Sequence, residues 1–210
     1  MPFAERDLEY LEQTHTPADG VLAEMLKRGR EEGIPIVSPA SGRLLRVLVL
    51  ALGPKRVLEI GTAIGFSTLW MAAGLPPGGR IDTIDPDRAR TDRARRYWIK
   101  AGMSDRIRVT NEPALRVIPR LAPGIELAFI DALKTEYTAY LDALLPKMTP
   151  GGVIAVDNLL WSGRIAAGEQ DDDTNALRAF NARFLRDEQL ESTIVPVGDG
   201  LGIAVVRPHA

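Results

Sequence analysis

Short apolar runs alternate with amphipathic stretches along the middle of the chain. The apolar runs are typical of buried strands, at residues 56–60, 80–84, 107–110, 127–130 and 153–156. Apolar positions at helical spacing predict helices at 66–73, 86–100, 114–121, 136–148 and 174–186. Strands separated by helices connect through right-handed crossovers and pair in parallel. The pattern therefore predicts an α/β fold with a parallel sheet and helices on both faces.

The N-terminal part of the chain is predicted to be helical. The second of three helices begins with Thr16 as its N-cap and Pro17 in its first turn, and Gly33 ends it. The other two helices span residues 3–13 and 41–52. We expect the helices of residues 1–52 to cover the ligand site of the remaining chain.

The C-terminal part departs from the alternation in another way. Two apolar runs flank Asp199-Gly200, which is a signal for a β-hairpin. Together with the five strands predicted above, the two strands of this hairpin predict a seven-stranded sheet that is mostly parallel and ends in an antiparallel hairpin strand. Because no internal repeat or low-complexity linker is present, we expect residues 1–210 to form a single domain.

Composition excludes several classes of function. The formal net charge of −2 gives no electrostatic case for general binding to nucleic acids or membranes. The absence of cysteine excludes disulfides, thiolate zinc sites and cysteine nucleophiles. The first residues are too charged for a signal peptide, and no apolar run approaches the length of a membrane span. A cytoplasmic protein is the expectation.

The segment VLEIGTAIGFSTLWMA, residues 57–72, predicts a strand, a glycine turn and a helix. Gly61 and Gly65 allow a ligand to approach the backbone, and the first helical turn offers free N–H groups. The segment carries a carboxylate, Glu59, and lacks the Gly-x-Gly-x-x-Gly spacing of dinucleotide sites. It therefore indicates an adenosine cofactor without a pyrophosphate, for which S-adenosylmethionine is the leading candidate.

Acidic residues lie at or beside the carboxyl ends of four predicted strands, where open α/β sheets bind ligands. They are Glu59, Asp85, Asp131 and Asp157. Asp85 follows the glycine turn by some twenty residues, a spacing typical of an acid that binds ribose hydroxyls. The alternative is that Asp85 only caps a helix that begins at Pro86.

Asp131, Asp157 and Asn158 offer three hard oxygen ligands at neighbouring strand ends. Each alone is more often a cap or a turn residue, but together they favour Mg²⁺, or else Mn²⁺ or Ca²⁺. Lys134 follows Asp131 by one helical turn. Beside a cation, a desolvated lysine can accept the proton of a hydroxyl group, although a lone lysine is more often a solvated surface residue.

With these residues assembled, the chain resembles the cation-dependent O-methyltransferases, which include the catechol and caffeoyl-coenzyme-A enzymes. The resemblance runs from PIVSPASGRLL to PVGDGLGIAVV. Its most specific elements are Asp131-x-x-Lys134 and Asp157-Asn158 followed by LWSG. It implies a Rossmann-like class I methyltransferase fold, S-adenosylmethionine as the methyl donor, a divalent cation and a homodimer.

The resemblance also implies roles for individual residues. Lys134 matches the catalytic base, and the metal ligands match Asp131, Asp157 and Asn158. The positions that match cofactor contacts are Val37, Glu59, Gly61, Ser67, Asp85, Pro113, Ala114 and Asp131. For Ser67 the alternative is a hydroxyl that bonds its own helix backbone. Glu112 and Leu133 depart from the family pattern, so the adenine side and the acceptor wall differ from it.

The predicted function is metal-dependent methyl transfer to a hydroxyl oxygen of a small catechol-like or phenolic acceptor. One alternative is the methylation of a hydroxylated uridine in transfer RNA, for which arginines such as those of RARTDRARR would surround the pocket. A nicotinamide-dependent oxidoreductase is a further alternative, against which the glycine spacing and the hairpin argue. Trp161 is expected either to line the acceptor pocket or to be a half-buried anchor.

Overall fold

The computed structural model describes residues 5–15 and 20–208. Its seven-stranded sheet has the order β3-β2-β1-β4-β5-β7-β6, in which β1 to β5 pair in parallel and β7 pairs antiparallel with both neighbours. This confirms the predicted mostly parallel sheet with its hairpin. The strands are β1 Arg56–Ile60, β2 Arg80–Ile84, β3 Ile107–Thr110, β4 Ile125–Ile130, β5 Met148–Val156, β6 Leu190–Val195 and β7 Leu201–Val206.

Helices flank the sheet, and all of them except the short α8 lie where helices were predicted. Those described are α1 Glu5–Thr14, α2 Gly20–Glu31, α3 Pro39–Leu52, α4 Phe66–Ala72, α5 Arg88–Lys100, α6 Ala114–Val117, α7 Tyr137–Leu144, α8 Arg164–Ala167 and α9 Asp172–Phe184. The predicted start of the second helix at Thr16 and Pro17 lies outside the described residues. In residues 5–15 and 20–208, none of the helices has the length and apolar character needed to cross a membrane.

Several predicted helices differ from the observed ones at their ends, and for two of them the reason is clear. The helix predicted at 136–148 stops at Leu144, because the next residues form a 3-10 turn that contains Pro146 and leads into β5. The helix predicted to begin at Pro86 begins at Arg88, and Asp87 is its N-cap, with its side chain accepting a hydrogen bond from the backbone N–H of Arg90.

The sheet is buried on both faces, and successive residues of β1 pack into apolar clusters on opposite faces. Val57 belongs to the apolar cluster beneath α2 to α5, which contains Trp98. Leu58 belongs to the cluster on the other face, which contains Tyr137 and Phe180. This double burial is what parallel strands require, and it explains their continuous apolar runs.

The parallel register brings the carboxyl ends of β1, β4 and β5 side by side. The backbone N–H of Asp131 donates a hydrogen bond to the carbonyl oxygen of Ile60 at 2.9 Å, and that of Asp157 donates to the carbonyl oxygen of Ile130 at 3.0 Å. In the same way, the backbone N–H of Gly61 donates to the carbonyl oxygen of Ile84 at 2.9 Å. The residues that follow three adjacent strands are therefore neighbours at one edge of the sheet.

Candidate active site

The glycine turn after β1 needs glycine at both predicted positions. Gly61 has a φ of +99°, and a Cβ atom there would lie 1.9 Å from the carbonyl oxygen of Asp131. Gly65 has a φ of +79°, and a Cβ atom would lie 2.5 Å from the indole nitrogen of Trp98. Substitution at either position therefore meets both backbone strain and a steric clash.

Asp85 holds this turn in place. Its Oδ2 accepts hydrogen bonds from the backbone N–H groups of Thr62 and Ala63, at 3.2 and 2.9 Å, while its Oδ1 accepts one from Asp87 at 2.8 Å. The alternative that Asp85 only caps the next helix is wrong, because that helix begins later and Asp87 caps it. Asp85 instead joins the ends of β1 and β2.

Glu59 is fully buried beneath the turn, with an exposed fraction of 0%. Its Oε1 accepts a hydrogen bond from the hydroxyl of Ser67 at 2.6 Å, and its Oε2 accepts from the hydroxyls of Thr68 and Thr83. Burial raises the pKa of Glu59 from 4.5 to about 7, against the effect of these hydroxyl groups. The Ser67 hydroxyl thus bonds a carboxylate, rather than its own helix backbone as the alternative held.

Lys134 reaches the centre of the predicted metal site. Its Nζ donates to Oδ1 of Asp131 at 2.9 Å, to Oδ1 of Asn158 at 2.6 Å and to the hydroxyl of Tyr137 at 2.8 Å. The side chain is only 11% exposed. It is therefore a buried, fully paired cation, and the alternative of a solvated surface lysine is wrong.

Asp157 contributes a second buried carboxylate beside this cluster. Burial, and then the negative charge of Asp131, raise its pKa from 3.8 to about 7, while Lys134 opposes the shift. No donor in the described residues reaches its buried Oδ1. An unpaired buried carboxylate oxygen is costly unless something binds it, and a divalent cation is a fitting partner.

Asn158 lies on a strained turn that the C-terminal hairpin supports. Its φ is +67°, a conformation that asparagine tolerates better than most residues. Asp199, between β6 and β7, accepts hydrogen bonds from the backbone N–H of Ser162 and, at 3.5 Å, from the Asn158 amide nitrogen. Its carbonyl oxygen accepts from Leu160 at 2.8 Å. The hairpin thereby holds the turn that carries Asn158.

The remaining predicted cofactor residues lie on other elements. Val37 is buried just before α3, with an exposed fraction of 4%. Pro113 is exposed and Ala114 is buried, where β3 leads into α6. The structure thus brings together Asp131, Lys134, Asp157 and Asn158 at one point, and Glu59, Ser67, Gly61 and Asp85 around the glycine turn.

The predicted metal ligands do not form a cluster of the conventional residue types. In the described ranges, no three histidine, cysteine, aspartate or glutamate residues are grouped to hold a metal ion. The predicted set contains two aspartates, and its third member is an amide. It therefore differs from such groups in its residue types.

Sequence reasoning missed two residues at this site. Tyr137 contacts Lys134 directly, and its spacing of three residues from Lys134 was the available signal. Asp199 was interpreted only as a turn residue, although its carboxylate faces Asn158 and Ser162. Nothing local distinguishes such a residue from the ordinary aspartate of a hairpin turn.

The comparisons with known proteins place this geometry in a family. The family model described as O-methyltransferase matches residues 14–207. A catechol O-methyltransferase of Mycobacterium tuberculosis is 36% identical over 206 residues, which cover 94% of this chain and 94% of that protein. A caffeoyl-CoA O-methyltransferase of Populus kitakamiensis is 33% identical over 172 residues, covering 76% and 73% of the two chains.

Solved structures agree with the sequence relatives. The crystal structure of an O-methyltransferase from Bacillus cereus in complex with SAH superimposes with a TM-score of 0.85 and 31% identity. The match covers 95% of this chain and 96% of that one. The alternative of a nicotinamide-dependent oxidoreductase is therefore wrong. The chain belongs to the O-methyltransferase family and is an S-adenosylmethionine-dependent O-methyltransferase.

Proposed function

We propose that the enzyme is metal-dependent and methylates a hydroxyl oxygen of a small, catechol-like or phenolic acceptor. The observation that carries the proposal is the convergence of Asp131, Asp157 and Asn158 around Lys134. Oxygen atoms of Asp131 and Asn158 lie within 2.9 Å of the lysine nitrogen. Such a set of carboxylate and amide oxygens is suited to Mg²⁺, or to Mn²⁺ or Ca²⁺.

Asp157 supports the presence of a cation on independent grounds. Its Oδ1 is buried and accepts no hydrogen bond from the described residues. Asp131, Asp157 and Asn158 would hold the ion together. When bound there, a divalent cation lowers the pKa of a hydroxyl group that binds to it.

Lys134 serves as the base. Nζ first releases a proton to solvent; as the neutral amine it then accepts the proton of the acceptor hydroxyl, and the resulting oxyanion attacks the methyl carbon of S-adenosylmethionine. The new O–C bond forms as the C–S bond breaks, and S-adenosylhomocysteine leaves. In the structure Nζ donates hydrogen bonds to Asp131 at 2.9 Å and to Tyr137 at 2.8 Å.

The residues around the glycine turn bind the methyl donor. The carboxylate of Asp85 has lone pairs beyond those used by the turn, and these accept hydrogen bonds from the ribose hydroxyl groups. Glu59 has no exposed surface, so it contributes through Ser67, whose hydroxyl it holds. Gly61 admits the donor close to the backbone, the backbone at Val37 covers the methionine end, and Pro113 and Ala114 lie on the adenine side.

Apolar surfaces beside the polar centre support an aromatic acceptor. The ring of Trp161 lies 5.6 Å from Nζ of Lys134, and Leu133 and Leu160 are 63% and 39% exposed. A flat ring that carries adjacent hydroxyl groups can contact such surfaces while its oxygens face Lys134. The names of the relatives, catechol and caffeoyl-CoA O-methyltransferase, agree with this class of acceptor.

The transfer-RNA alternative has no support from these relatives. Two of the arginines of α5 that it invoked are paired with carboxylates. Arg93 bonds Glu32 through two hydrogen bonds, at 2.5 and 2.8 Å, and Arg95 bonds Asp92 at 2.5 Å. Paired charges of this kind offer little net attraction to a phosphate backbone.

A homodimer remains part of the proposal. Val47 and Leu50, one turn apart on α3, are 56% and 60% exposed. A second copy of the chain would remove this apolar stripe from water. Light scattering of the purified protein measures the oligomeric state, and a monomer at micromolar concentration would contradict this part.

Methyl transfer from labelled S-adenosylmethionine tests the main proposal. Catechol, a monohydroxylated phenol and transfer RNA that carries the hydroxylated uridine are compared, each with Mg²⁺ and with a chelator. We expect transfer to catechol that requires Mg²⁺ and returns when Mg²⁺ is restored. Full activity in the chelator would contradict the metal mechanism, and transfer to RNA alone would contradict the acceptor class.

A further inference from the structure

Tyr137 is placed against Lys134 by the local conformation of the chain. Lys134 begins a 3-10 turn, Lys134–Glu136, and Tyr137 is the first residue of the helix that follows. Side chains three residues apart eclipse one another in a 3-10 turn. Accordingly, Nζ of Lys134 lies 5.0 Å from the centre of the Tyr137 ring and 2.8 Å from its hydroxyl oxygen.

The hydroxyl of Tyr137 has two different partners. It donates its proton to the backbone carbonyl oxygen of Asp157 at 3.2 Å, which leaves its lone pairs for the lysine. The hydroxyl therefore connects Lys134 with the backbone of Asp157.

The ring of Tyr137 is held rigidly. It is 0% exposed and packs edge-on against Phe180, with the ring centres 5.5 Å apart. A buried ring with one packing arrangement gives its oxygen a fixed position. Through its hydrogen bonds, that oxygen connects Lys134 with the end of β5, which is followed by the predicted metal ligands Asp157 and Asn158.

Three acceptors hold Lys134, and only one of them is free of another role. Asp131 and Asn158 are assigned to the cation, so their oxygens are shared between it and the lysine. The oxygen of Tyr137 is not. It is therefore the acceptor that can stay with the amine when the other two bind elsewhere.

Resting on the function proposed above, we propose that Tyr137 is a positioning residue whose hydroxyl holds the Lys134 amine at the reacting oxygen of the acceptor. Tyr137 touches neither the methyl donor nor the acceptor in this role. It acts through Lys134, and its loss lowers the rate of the chemical step rather than the binding of substrates.

Two matched variants separate this role from general packing. Tyr137→Phe removes the hydroxyl and keeps the ring. Tyr140→Phe makes the same change on the same helix, where the hydroxyl donates to Glu136 at 2.5 Å instead. Both tyrosines are buried, so both variants lose one buried hydroxyl group.

The first measurement needs neither cation nor acceptor. Five lysines are present, and a ¹H–¹⁵N spectrum selective for NH₃⁺ groups reports those whose protons exchange slowly. We expect a signal from Lys134, assigned by its absence in Lys134→Met. The signal should be lost or shifted in Tyr137→Phe and unchanged in Tyr140→Phe. An unchanged signal in Tyr137→Phe would overturn the proposal.

The second measurement is steady-state kinetics with Mg²⁺ and catechol. For Tyr137→Phe we expect kcat to fall about tenfold, the effect of one hydrogen bond of ordinary strength, with both KM values unchanged. In the Lys134→Met background the same substitution should have no further effect, because both act through one group. Equal losses in the two tyrosine variants, or additive losses with Lys134→Met, would overturn the proposal.

The two measurements fail independently of the proposed function. If catechol is not methylated but the NH₃⁺ signal depends on Tyr137, the acceptor class is wrong and the contact stands. The kinetic comparison is then made with the acceptor that is methylated. If catechol is methylated and the NH₃⁺ signal of Lys134 is unchanged in Tyr137→Phe, the proposed function stands and the positioning role is wrong.

Discussion

The side-chain nitrogen of Lys134 lies 2.6 Å from Oδ1 of Asn158, an oxygen that we assign to a divalent cation. The same nitrogen lies 2.9 Å from Oδ1 of Asp131. Lysine is a compact positive charge that can be paired with oxygens suited to a metal ion. The chain's own cation and a bound metal ion would therefore compete for the same oxygens.

This competition predicts that Lys134→Met binds Mn²⁺ more tightly than the wild-type protein. Removing a positive charge a few ångströms from the ligands should raise the affinity by about tenfold or more. Calorimetric titration measures the Kd without substrates. Lys147→Met is the control, since that lysine donates to the carbonyl oxygens of Pro119 and Leu121 elsewhere. An unchanged or weaker affinity of Lys134→Met would contradict the competition.

Asp157→Asn should strongly weaken metal binding and methyl transfer while binding of the methyl donor survives. The substitution keeps the shape of the side chain but removes a charge whose Oδ1 has no partner in the described structure. We expect kcat/KM to fall about 100-fold or more. Calorimetry with Mn²⁺ and with S-adenosylhomocysteine separates the two kinds of binding. Asp172→Asn, at an exposed position on α9, is the control. If Asp157→Asn bound Mn²⁺ as tightly as the wild-type protein does, the assignment of Asp157 as a metal ligand would be wrong.

Glu59 should make the protein less stable as the pH rises. Its pKa is about 7 in the folded protein, against an ordinary value of 4.5, because the carboxyl group is buried. Between these values the folded state holds a proton that the unfolded state has lost. The free energy of unfolding therefore falls by at most about 3 kcal/mol between about pH 4.5 and about pH 7. Above about pH 7 it levels off.

Denaturant unfolding of the wild-type protein and of Glu59→Gln tests this dependence. The difference between the two curves isolates Glu59, since Asp157 titrates in both proteins. From pH 5 to pH 8 the stability of Glu59→Gln relative to the wild type should increase. Parallel curves over this range would mean that Glu59 keeps an ordinary pKa in its buried site.

Gly61→Ala should destabilise the fold far more than Gly78→Ala. Both glycines have positive φ angles, +99° and +77°, so both substitutions introduce backbone strain of about 1–2 kcal/mol. Only at Gly61 does a Cβ atom also meet the backbone of Asp131, at 1.9 Å. At Gly78 the same atom has no neighbour within 4 Å in the described structure. We expect a total loss of about 3 kcal/mol or more for Gly61→Ala in denaturant unfolding. Equal losses would show that the contact with Asp131 can relax without a penalty.

Much of the fold was predictable because local patterns carry it. The apolar runs at Arg56–Ile60 and Arg80–Ile84 became strands with the predicted bounds, since parallel strands are buried on both faces. The hairpin around Asp199-Gly200 was equally clear. Less predictable were the ends of helices. Asp87 rather than Asp85 caps α5, and the carboxylate of Asp85 bonds the distant glycine turn instead.

The candidate site divides along the same line. The sequence by itself determined which residues follow the strands, and thus that Asp131, Asp157 and Asn158 meet at one edge of a sheet. Only the tertiary structure decided that β4 lies between β1 and β5, that Lys134 is paired among these oxygens, and that Tyr137 and Asp199 support them. Residue patterns specify elements over a few neighbouring positions, whereas these contacts depend on strand order and side-chain packing. Asn158 and Asp199, for example, are 41 positions apart in the chain and become neighbours only when β7 pairs with β5.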